Sequence, residues 1–120
     1  MKTKKELKEQ YKQQKFRIGV FQIRNTGNGK ILIGSSTDLI AIWNRLRFQL
    51  NNGLHSNETL QADWTRQGEA AFVYEILSEI KQDDEPVTGY KREAEQLEQL
   101  FIEELQPFGE NGYNTGKYSY

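Results

Sequence analysis

The sequence predicts an α+β fold, a three-stranded and mostly antiparallel sheet flanked by helices, on three observations. Two apolar stretches, Arg17–Arg24 and Lys30–Gly34, are joined by Asn25-Thr26-Gly27-Asn28-Gly29, residues that tolerate positive φ and so build a hairpin. A third alternating stretch, Ala71–Leu77, supplies another strand. Between and after them run helical stripes, and the order of strands and helices favours a covered sheet.

The first of the strands has Gly19, Phe21 and Ile23 on one face and Ile18 and Val20 on the other, so both faces are expected to be partly buried. Ser35-Ser36-Thr37-Asp38 is a cluster of N-cap residues. It opens a helix to Asn51 whose stripe is Leu39, Ile42, Trp43, Leu46 and Leu50, and Asn51-Asn52-Gly53 closes it. A second helix starts at Ser56 or Asn57 and runs to Gln67 with Leu60 and Trp64 at i, i+4. Lys81–Gly89, with Asp83-Asp84-Glu85-Pro86, reads as a solvated loop. The last helix spans Tyr90–Leu105, with Ala94, Leu97, Phe101 and Leu105 (or Leu100) facing inward. Met1–Lys15, rich in lysine, reads as a charged helix or a basic arm.

A length of 120 residues fits one domain, 1–120, with a core over 17–114 and a short tail over 115–120. Cysteine is absent, which excludes disulfides, thiol nucleophiles and Cys-based metal centres. With no apolar leader and no apolar run of membrane length, the expectation is a cytoplasmic protein with no membrane partner. The net charge of −1 lacks the basic excess of a dedicated nucleic-acid binder, so phosphate affinity must come from local patches.

From Gly19 to Glu75 and beyond, the chain resembles the GIY-YIG nuclease family. The matching text is Gly19-Val20-Phe21-Gln22-Ile23-Arg24-Asn25 and Gly29-Lys30-Ile31-Leu32-Ile33-Gly34-Ser35-Ser36, then Leu39 and Trp43-Asn44-Arg45. Gly53-Leu54-His55-Ser56-Asn57, Leu60-Gln61, Trp64, Gly68-Glu69, Phe72, Glu75-Ile76-Leu77 and Gly112-Tyr113-Asn114 continue it, so that the match covers residues 17 to 114. The resemblance implies a three-stranded antiparallel sheet flanked by helices, and a phosphodiesterase using one divalent metal, Mg²⁺ or Mn²⁺. In such an enzyme metal and arginine stabilise the growing charge while a base activates water.

Carried over position by position, the resemblance puts the metal-holding carboxylate at Glu98, a late asparagine at Asn114 and a histidine at His55. The two tripeptide tyrosines fall on Phe21 and Leu32, the helix arginine on Ile42 and a helix histidine on Leu46. These four polar positions are therefore apolar here. Arg45, three residues past Ile42, is the candidate substitute for the arginine, and Arg24, Lys30 and Arg45 are the candidate contacts to nucleic acid.

The expected function is a GIY-YIG endonuclease-like domain with impaired catalysis, acting in nucleic-acid (DNA or RNA) or protein interaction. The former cleft has either filled with core or become an apolar groove for a partner. One alternative is an active metal-dependent endonuclease using Glu98, Arg45 and a hydroxyl from Tyr113 or Tyr74. Another is a partner-binding protein with no nucleic-acid role.

Overall fold

The computed structural model describes residues 16–82 and 89–115. The helix expected over Met1–Lys15, most of the acidic loop and the end of the tail lie outside these residues.

Strand β1, Gly19–Asn25, occupies the middle of the sheet, and this is why both of its faces carry apolar side chains. It pairs antiparallel with β2, Ile31–Ser36, in the register Phe21↔Gly34 and Ile23↔Leu32. Its other edge pairs antiparallel with β3, Phe72–Glu79, with a bulge between Val20 and Phe21. The hairpin turn is held from inside. The Asn25 side chain accepts the Gly27 amide at 2.8 Å, and Gly29 takes the positive φ of 79° that only glycine adopts freely.

Helix α1, Leu39–Asn51, starts where the sequence placed it, with Asp38 accepting the Ala41 amide at 3.0 Å. Helix α2, Glu58–Gln67, is capped by Asn57 through the Leu60 amide at 3.0 Å. Both pack on one face of the sheet, around Phe21, Ile23, Leu39, Leu50, Leu60, Trp64, Phe72 and Tyr113. Burying a leucine such as Leu39, Leu50 or Leu60 contributes about 1.5–3 kcal/mol.

Helix α3, Tyr90–Leu105, covers the opposite face, where Ile102 packs with Val20 and Ile33. Its inward stripe differs from expectation at the C-terminal end. Leu100 and Leu105 are exposed, and Ile102 is the buried residue, with Ala94 further up and Leu97 and Phe101 beside it. The helix stops at Gln106, in the left-handed region, ahead of Pro107. The chain then returns to the open edge of β2, where Gly112 bridges Ile31 in parallel and the Tyr113 amide donates to the Ile31 carbonyl at 2.8 Å. Among the described residues, no helix is long and apolar enough to cross a membrane.

Candidate functional site

The four positions that the resemblance makes polar, Phe21, Leu32, Ile42 and Leu46, gather on the α1 side of the sheet. Phe21 is buried at 4% exposure under Gly34, where an added Cβ would stand 2.6 Å from the ring's Cζ. Its ring lies 5.4 Å from Tyr74, and Tyr74 in turn stacks on Trp43 at 4.8 Å. Leu32, Ile42 and Leu46 are half-buried and pack against the same core. This face of the sheet is therefore largely filled, and its rim leaves apolar surface open.

Glu98 lies on the other face. It projects from α3 toward the edge strand, lining a groove with Ser35, Arg92, Glu95, Gln96 and Gln99. Burial pushes its carboxyl pKa up, hydrogen bonds from the Ser35 side chain and backbone pull it down, and the charge of Glu95 pushes it up again. Strand β2 is the shared element: Leu32 projects from one face and Ser35, the partner of Glu98, from the other. Ser35 is the residue sequence reading missed as a site contributor. Its only signal was a hydroxyl at the alternation step that faces α3.

A Mg²⁺ ion that keeps several waters needs only one or two carboxylates plus phosphate oxygens. Glu98, with Glu95 on the same groove, fits that requirement. Among the described residues no three carboxylate, imidazole or thiol groups gather to make a fuller cage.

His55 sits between α1 and α2. Its Nδ1 accepts the Asn57 amide at 3.0 Å, and its own amide donates to Gln61 Oε1 at 3.0 Å. An acceptor Nδ1 requires a neutral ring, and burial lowers the imidazole pKa in the same sense. Asn114 ties the tail to the sheet, as its position at the end of the match suggests. Its Oδ1 accepts the Ile33 amide at 2.8 Å, and its Nδ2 donates to the Ile33 carbonyl at 3.0 Å.

The candidate phosphate contacts differ in how free they are. Arg24 is held by Glu75 at 2.7 Å, and Lys30 lies 5.8 Å from the centre of the Tyr113 ring. Arg45 is exposed and has no ion-pair partner among the described residues. The two phenols considered as substitutes are engaged. Tyr74 donates to the Leu39 carbonyl at 2.6 Å, with its pKa pushed up to about 12, chiefly by burial. Tyr113 donates to Asp63 at 2.7 Å and accepts from Asn25 at 3.0 Å.

No family model matches the chain. It is 33% identical over 96 residues to intron-associated endonuclease 1 of Enterobacteria phage T4, a match covering 80% of this chain and 36% of that protein. The chain thus spans about a third of the length of that curated relative. Among solved structures it is similar to the catalytic domain of the homing endonuclease I-TevI, at 33% identity and a TM-score of 0.69, covering 83% of this chain and 99% of that one. A glutamate-to-alanine mutant of the same catalytic domain matches at 32% identity and a TM-score of 0.68, covering 82% and 93%. With a three-stranded antiparallel sheet between helices and a shared sequence over nearly all of that catalytic domain, the chain belongs to the GIY-YIG nuclease family.

Proposed function

We propose that this chain is a GIY-YIG endonuclease-like domain that binds nucleic acid and whose phosphodiester cleavage is impaired. The observation that carries the reading is the replacement of four polar positions by Phe21, Leu32, Ile42 and Leu46. A positioned acid–base group is worth about 10²–10⁴ in rate, and a charge-stabilising donor about 10²–10³. Such losses do not simply add, but without the arginine and both phenols, charge on the phosphate meets only what Glu98 can hold. A divalent metal there would supply Lewis-acid stabilisation of that charge when bound.

The active-nuclease reading draws its support from Glu98, which lines a solvent-reached groove. It needs a hydroxyl as well, and those of Tyr74 and Tyr113 are committed to short structural bonds. Arg45, the candidate substitute for the arginine, has no competing carboxylate among the described residues.

A plasmid-nicking assay with Mg²⁺ or Mn²⁺, run beside Glu98→Ala, tests the proposal. The expected result is no cleavage above that of the variant; turnover that disappears with Glu98 overturns it. A salt titration of DNA and RNA binding separates this reading from a protein-only module, because phosphate contacts weaken steeply with salt.

A further inference from the structure

Helix α1 presents a surface that neither the core nor the catalytic positions explain. Its stripe of Leu39, Trp43, Leu46 and Leu50 faces the sheet. At 100° per residue, Phe48 then falls on the crest, opposite that stripe. It is 63% exposed, and Ile40 and Leu54 beside the same helix are 54% and 66% exposed. Three of the six large exposed apolar side chains among the described residues thus belong to this one element or its end.

The charge carried by helix α1 itself has one sign, while Asp38 caps its start and Glu69 is bonded to Asn51 at its end. Helix α1 carries Arg45 and Arg47 and no acidic residue. Helix α2 has two acids against Arg66, and α3 has five glutamates against Lys91 and Arg92. Arg17, Arg24 and Arg66 each pair with a carboxylate, whereas Arg45 and Arg47 have no such partner among the described residues. An aromatic ring between two unpaired guanidinium groups matches a strand of unstacked bases with its phosphates. The ring offers a face to a base, and the arginines meet the backbone on either side. A duplex keeps its base faces stacked inside and gives the ring nothing to stack on.

Building on the nucleic-acid reading above, we infer that the crest of α1 is a single-strand binding platform, with Phe48 stacking a base and Arg45 and Arg47 contacting flanking phosphates.

The test is fluorescence anisotropy of the full chain with a labelled oligo-dT strand and with a duplex of equal length, between about 50 and 200 mM salt. The strand is expected to bind tighter than the duplex. Phe48→Ala should weaken it about tenfold or more, and Phe48→Trp should retain affinity. Arg45→Gln should make the slope of log K against log salt shallower by about 0.7. Because Phe48 is exposed, the substitutions should leave the circular dichroism and melting curve unchanged. Tighter duplex binding, or strand affinity within about twofold of wild type in Phe48→Ala, overturns the platform while leaving the nucleic-acid reading intact. A wild-type chain that binds neither probe overturns both.

Discussion

Tyr113 and Asp63, fifty residues apart, share a 2.7 Å hydrogen bond inside the core, with the phenol donating and the carboxylate accepting. Asn25 donates to the same phenol at 3.0 Å, and Arg66 holds the other Asp63 oxygen at 2.8 Å. The β1–β2 turn, α2 and the C-terminal tail are joined at this point. Tyr113→Phe removes one hydroxyl and leaves an amide N–H and a carboxylate oxygen underserved at sites with little water. A loss of about 1–3 kcal/mol is expected, read from urea denaturation with an unchanged m-value.

Asn114 completes the same closure from the β2 edge. Its two bonds with Ile33 give an outward-facing backbone pair the partners that a fourth strand would supply. Asn114→Ala should cost about 1–2 kcal/mol. It should also raise hydrogen exchange at the Ile33 amide far more than at Ile23 in the central strand. Unchanged protection at Ile33 would sink this account of the tail.

Local sequence patterns carry the elements but not this closure. Helix α1 begins and ends where its stripe and caps place it, and α3 spans the residues its stripe predicts, because period and cap chemistry are local. The face assignment of β1 is equally legible, since alternation fixes which side chains share a face. The Asn25–Tyr113–Asp63 network joins residues up to 88 apart, so no window of sequence contains it. Ile102, and not Leu105, is the buried residue near the end of α3 because it is the one that meets Val20 and Ile33 on the sheet, a fact of tertiary placement. The site was half legible. A resemblance names Glu98 and the replaced positions, but not that they approach β2 from opposite faces.

Gly34 and Phe21 make a closer dependency. An alanine methyl at 34 would stand 2.6 Å from the Phe21 Cζ, so the ring must move inside a packed core. Gly34→Ala is expected to cost about 1–3 kcal/mol. Combined with Phe21→Leu, which withdraws the ring edge, the pair should be less destabilised than the sum of the singles by about 1 kcal/mol. Thermal melts of the four proteins in the cycle measure it, and strict additivity would contradict the steric argument.

His55 predicts a response to acid. Its pKa is lowered in the folded chain, so the unfolded chain takes up the proton first. Its contribution to stability is therefore present above the ordinary value of 6.5 and is lost as pH falls toward and through the lowered folded value. In His55→Asn, whose Oδ1 can still accept an amide, stability between pH 7 and pH 5 should fall less steeply than in wild type. Parallel pH profiles would show that His55 does not titrate with folding.

The strongest test of impaired catalysis is to put the missing groups back. Phe21→Tyr extends a phenol from a ring whose Cζ already lies against Gly34, the one residue there without a side chain to block it. Leu32, Ile42 and Leu46 are half-buried at the rim, so Leu32→Tyr, Ile42→Arg and Leu46→His can direct their polar ends to solvent. The fourfold variant should fold with reduced stability, since it removes apolar contacts from the edge of the main core. If the four positions are what limits the wild-type chain, plasmid nicking with Mg²⁺ should rise by about 10²-fold or more. Adding Glu98→Ala should abolish the gain if Glu98 is the metal-holding carboxylate that the family resemblance implies. A folded, Glu98-containing fourfold variant that still fails to nick DNA would move the cause of impairment elsewhere, to the placement of Glu98 across the sheet from the restored groups.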